Sequence, residues 1–109
     1  MTKMTDDNVD KYIFQNKPIF ILFYSPNLPM HNNLLRIFEK FEERLIDKID
    51  VLICDIENTI KVKQYFQMSI LPAVLLMKNN KDYGNLAGPA SETKYEQILI
   101  DGLTKILEE

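Results

Sequence analysis

"YFQMSILPAVLLMKN", residues 65–79, is the stretch on which the fold turns. Tyr65 and Phe66 close what reads as a short helix over residues 59–66. Pro72 then opens an apolar run of strand length, "PAVLLM" (72–77). The next residues, "NNKDYG" (79–84), have the composition of a turn. A weak strand near Tyr83–Ala87 is expected to form a hairpin with the run. The run is continuous, not alternating, which suits a strand covered on both faces.

Two similar runs lie upstream, "IFILFY" (19–24) and "DVLICDI" (50–56). Between them Leu34, Leu35, Phe38, Phe41, Leu45 and Ile46 recur at helical spacing. Arg36, Glu39, Lys40, Glu42 and Glu43 fill the intervals, so the pattern predicts an amphipathic helix of about four turns. Near the start of the chain, Thr5 is expected to cap a helix whose first turn holds Asp6 and Asp7, favourable at the positive end of a helix dipole. Val9, Tyr12 and Ile13 would face inward, and Lys17–Pro18 would end that helix, because proline disfavours helix in the residue before it. Ser91 starts a last helix with the stripe Tyr95, Ile98, Leu99, Leu103, Ile106 and Leu107. The order is α-β-α-β-α-β-β-α. Strands alternating with helices predict a layered α/β domain, and the final hairpin makes its sheet mixed.

Length and composition fit that reading. The chain has 109 residues, 46% of them apolar and 27% charged, which is globular in character and sized for one domain over 1–109. The net charge of −3 gives nucleic acid or anionic lipid no electrostatic foothold. "MTKMTDDNVD" (1–10) is polar and acidic, unlike a signal peptide. No run of about 18 apolar residues suggests a membrane span. The one cysteine, Cys54, has no partner in the chain and fits a reducing compartment, so a cytoplasmic setting is expected.

Chemical motifs are sparse. Three glycines do not make a phosphate loop, and no Ser-His-acid set or basic–aromatic stripe is recognisable. His31 has no companion His, Cys or acid at ligand spacing, so no metal is expected. Cys54 sits in an apolar strand and reads as a small buried hydrophobe. Pro29 is a natural first residue for the long helix. The charges of "EKFEER" (39–44) read as a solvated helix face.

The element order at this length resembles thioredoxin, and four strings carry the likeness. "KPIFILFYSP" (17–26) is similar to the family's first central strand, and "VLICDIEN" (51–58) to its second. "YFQMSILPAVLLMKN" is similar to the stretch around the family's cis-proline. "LAGPASETKYEQILIDGL" (86–103) resembles its last strand edge, glycine and closing helix. The likeness implies a three-layer α/β/α thioredoxin-like fold, with a central mixed sheet of four to five strands flanked by helices.

Carried over position by position, the family's active site is missing. Its motif is Trp-Cys-Gly-Pro-Cys at the start of the long helix. With the motif proline on Pro29, Asn27 stands at the first cysteine, Leu28 at the glycine and Met30 at the second cysteine. The chemistry needs a thiolate and a second thiol to resolve the mixed disulfide. An amide and a thioether supply neither. The family's buried Asp and its Lys partner correspond to Leu22 and Ile53, both apolar. The resemblance therefore implies no catalytic residue and no cofactor. It leaves a protein- or peptide-binding surface made of Asn27, Leu28, Pro29, Met30 and His31, with Leu71, Pro72, Ala87 and Gly88. Pro72 matches the cis-proline, which frees the backbone of Leu71 to pair with an extended peptide. Gly88 matches a glycine that allows close approach. The alternative is a glutathione-type site, in which Ser25 and Asn27 activate a thiol supplied by the ligand.

Overall fold

The computed structural model describes residues 1–28 and 31–109. Its elements in chain order are β1 (Thr2–Lys3), α1 (Val9–Ile13), β2 (Ile19–Tyr24), α2 (His31–Arg44) and β3 (Asp50–Asp55), followed by a 3-10 turn over Ile56–Asn58. Then come α3 (Lys61–Phe66), β4 (Ala73–Lys78), β5 (Lys81–Ala87) and α4 (Glu92–Leu107). The strands form one five-stranded sheet in the order β1-β3-β2-β4-β5. β1 and β2 lie parallel to β3, whereas β4 runs antiparallel to both β2 and β5.

All six residues of β2 are buried, as its unbroken apolar run requires. Side chains alternate across a strand, so β2 feeds two cores. Phe20, Leu22 and Tyr24 join Val51, Ile53, Val74 and Leu76 on the face packed with α2 and α4. There Phe20 stacks on Phe38 with ring centroids 5.0 Å apart, and Tyr95 meets Phe38 edge-on at 5.9 Å. Ile19, Ile21 and Phe23 join Leu52, Cys54, Ala73 and Met77 on the opposite face, with Val9, Ile13 and Val62.

α4 lies close on the hairpin because residue 102 has no side chain. A Cβ on Gly102 would stand 2.2 Å from Leu76 Cδ2 and 3.1 Å from the Tyr83 carbonyl oxygen. Cross-helix ion pairs, Lys40–Glu92 at 3.3 Å and Arg44–Glu96 at 3.0 Å, tie α2 to α4 on the solvent side.

Several expectations are corrected at the element ends. The first helix begins at Val9, with Asn8 at its N-cap, and ends at Ile13. Thr5 does not cap it in the expected way: its N–H donates to the Asn8 side chain at 2.8 Å. Asp6 leaves that helix altogether. Its carboxylate accepts from the N–H groups of Ile60 at 2.8 Å and Val62 at 3.0 Å, so it caps α3 from a distant part of the chain. Asp10 adds an ion pair to Lys61 at 2.5 Å. Upstream of this cap, Thr2–Lys3, to which the sequence pattern assigns no element, form the edge strand β1. At the hairpin, only Asn79 and Asn80 form the turn, both with positive φ, and β5 already begins at Lys81. Ile46 and Leu107, assigned to inner stripes, are exposed, while the neighbouring Leu45 and Ile106 pack against the core.

Two outcomes follow from this packing. Gly102→Ala is expected to lower stability by about 1–3 kcal/mol through overpacking against Leu76, overriding the roughly 1 kcal/mol by which Ala is the better helix former. Urea unfolding monitored by circular dichroism reads this directly. Asp6→Ala is expected to lower the melting temperature by a few degrees at neutral pH. The two backbone N–H bonds, first that of Ile60, hold the Asp6 carboxyl below its ordinary value of 3.8. A carboxyl depressed on folding stabilises above its unfolded pKa and loses that effect as pH falls through the folded value. The gap between wild type and variant should therefore stay constant near neutrality and close below that ordinary value.

Candidate functional site

The central strand ends at Tyr24, and the chain leaves the sheet through a tight turn. The Ser25 carbonyl accepts from the Leu28 N–H at 3.0 Å, and the Ser25 hydroxyl accepts from the Asn27 N–H at 3.3 Å. Serine hydroxyls commonly bond their own backbone two residues on. Ser25 is consequently buried, while Pro26 and Asn27 stand in solvent. The Asn27 side-chain amide reaches across to the Glu57 carboxylate at 3.4 Å. Leu28 is half-buried against the α2–α4 core. Pro29, Met30 and the side chain of His31 lie outside the described residues.

At the same end of the sheet, Phe23 pairs with Ala73, which sets the start of β4 beside the end of β2. The Leu71–Pro72 peptide bond just before it is cis. The Pro72 carbonyl accepts the N–H of Gly88 at 2.8 Å, and Ala73 pairs with Ala87. Gly88 has φ +89°, a conformation that side chains disfavour. Leu71, Pro72, Ala87 and Gly88 are thus brought together by backbone bonding alone.

Ile70 belongs to this group and was missed in the sequence. Its Cγ2 lies 3.8 Å from where a Cβ on Gly88 would sit, and the side chain is 56% exposed. The side chain therefore adds apolar surface beside the Pro72–Gly88 bond. The only signal in the sequence was "SILP", where Ile70 precedes the strand instead of joining it.

Beneath the surface, Leu22 and Ile53 are register partners and both buried. Neither can take up or release a proton. Cys54 is fully buried one residue further along β3, and burial pushes its thiol up to about 12, with smaller contributions from the charges of Asp55 and Asp6. The chain has this single cysteine, so no dithiol pair can form within it. Among the described residues, no group of three His, Cys, Asp or Glu side chains is placed to hold a metal ion. No described helix is long and apolar enough to cross a membrane.

A central parallel βαβ unit continued by an antiparallel hairpin, with helices on both faces, defines a thioredoxin-type α/β fold. A family model described as Thioredoxin matches residues 1–101, and the chain belongs to the thioredoxin family. Among solved structures, a crystal structure of a designed protein superimposes with a TM-score of 0.79 at 16% identity, covering 97% of this chain and 91% of that one. At that identity the likeness concerns fold alone. A search of curated proteins gave no significant match.

The Cys54 environment makes a direct prediction. Thiolate is the reactive species, and a thiol this strongly raised is almost entirely protonated at mildly alkaline pH. Native protein is expected to react with an aromatic disulfide reagent at least about 100-fold more slowly than protein unfolded in urea, whose thiol returns to the ordinary value. Stopped-flow absorbance on both forms measures the ratio.

Proposed function

We propose that this protein is a non-catalytic member of its family, a single domain over 1–109 that binds a protein or peptide partner. It would do so through the surface equivalent to the family's active site, as an adaptor, chaperone-like factor or complex subunit. One observation carries the reading. The redox apparatus is absent as a set, with apolar Leu22 and Ile53 in place of an acid–base pair and no cysteine at the turn. The neighbouring loop nevertheless presents Ile70 to solvent next to the Pro72–Gly88 bond.

The partner is read as an extended segment lying along Leu71, with Ile70 and Leu28 as apolar contacts and Asn27 at the edge. Pro29, Met30 and His31 belong to the proposed surface by their place in the sequence. Nucleic acid and membranes are not proposed as partners, given the net charge of −3. A cytoplasmic setting fits the single buried thiol. The glutathione-type alternative gains no support from Ser25, which is a buried residue at the foot of the turn.

Capture from lysate of the source cell, with immobilised wild type and Ile70→Asp run in parallel, tests the reading. The expected result is a partner retained by wild type and reduced about tenfold or more by the exposed substitution, the loss typical of an apolar hot spot. Equal recovery on both would remove Ile70 from the interface. Saturable glutathione binding by calorimetry would favour the alternative.

A further inference from the structure

A groove of about 360 Å³ runs between α3 and the β4–β5 hairpin, and it touches the proposed partner surface only at Ala87. That volume falls in the range of roughly 300–1,000 Å³ found for small-molecule sites. Its walls are mostly apolar. Phe23 and Phe66 meet there with ring centroids 4.9 Å apart, beside Met77. The Tyr65 hydroxyl donates to the Asn80 side-chain oxygen, tying α3 to the hairpin turn and closing that end of the groove.

One charged side chain lines it, that of Asp82, and a defect in the hairpin puts it there. Leu75 pairs with Asn85, and both line the groove. Two residues back along a regular strand, Tyr83 would oppose Met77 on the same face. The register instead shifts between Leu76 and Met77, so Asp82 opposes Met77. Tyr83 turns to the other face and packs in the core under α4. A bulge of this kind re-aims a side chain. The Asp82 carboxylate is then held by the Gly84 N–H at 2.8 Å and the Asn85 side-chain amide at 2.9 Å. Among the described residues it has no cationic partner, and no Lys, Arg or His lines the groove.

We propose that this groove binds a small apolar molecule carrying one protonated amine. The apolar body packs on Phe66, Met68 and Leu75, apolar lining side chains that are partly exposed, where a ring face and a polarizable thioether favour both hydrocarbon and neighbouring positive charge. The ammonium donates to the Asp82 carboxylate, a charge-assisted hydrogen bond. A carboxylate ligand of the same shape is excluded, because it would meet Asp82 with no cation nearby.

The test uses the full isotope-labelled chain at neutral pH, titrated with phenethylamine and, separately, with 3-phenylpropionate. These probes are similar in size and opposite in charge. Phenethylamine is expected to give saturable amide shifts confined to α3, β4 and β5 with a dissociation constant near 1 mM, about −4 kcal/mol. Phenylpropionate should give none. Asp82→Asn keeps an oxygen acceptor for the Gly84 N–H but removes the charge. It is expected to weaken phenethylamine about fivefold, the scale of an exposed ion pair. An unchanged urea midpoint verifies that the variant is folded, and Asp82→Ser, which also lacks the charge and can accept from the Gly84 N–H, serves as the second variant if it is not. Equal binding of both probes, shifts outside the groove, no saturation, or undiminished affinity without the carboxylate would each overturn the proposal.

Discussion

Everything in this molecule hangs on a central strand that has no exposed face. Each of the six β2 side chains is buried, and each contributes about 1.5–3 kcal/mol by leaving water. That gain is available only if helices cover the sheet on both sides and strands pair with β2 along both edges. Such double cover explains why the chain alternates helix and strand, why β3 lies parallel across α2, and why β4 returns antiparallel. It also explains the two separate cores, one with the Phe20–Phe38–Tyr95 aromatic cluster and one with Met4, Cys54 and Val62.

The same constraint bears on chemistry. A carboxylate at residue 22 would sit between Ile53 and Val74 in a layer of buried apolar side chains. Burying an unpaired charge there is expensive and is tolerated where a reaction requires it. With leucine and isoleucine at these positions, the interior below the site is uniformly apolar, and polarity is confined to the rim. What the loops above can offer is shape and hydrogen bonding, through Asn27, the Leu71 backbone, Ile70 and Gly88.

The framework was legible in the sequence because long apolar runs and helical stripes are averaged signals. "IFILFY", "DVLICD" and the stripe through Phe38 and Phe41 tolerate an error at either end. What escaped was set by single long-range contacts. Asp6 looks like a helix-start acid to any local rule, yet its partners are the Ile60 and Val62 N–H groups. The bulge that aims Asp82 leaves no trace in "NNKDYG", which reads as turn throughout because Asn, Asp and Gly favour turns. Gly102 looks like a mild flaw in a good helix until the hairpin is in place. At the site, the missing cysteines were plain from the residues themselves. Ile70 was not, because exposure of an aliphatic side chain depends on where the strand begins, and an apolar run blurs that point.

The Asp6 bond has a bearing on cooperativity. α3 has six residues, too short to hold its helical form alone in water. Its N-cap Ile60 makes no side-chain capping bond, and the first-turn amides are met by a residue 54 positions earlier in the chain. The segment from β1 to α1 and the helix α3 are therefore joined by this cap, although half the sequence separates them. A perturbation near the amino end would be felt both at the far wall of the groove, where Tyr65 and Phe66 stand, and at the hairpin turn, whose Asn79 and Asn80 N–H groups donate to the Gln15 and Ile13 carbonyls.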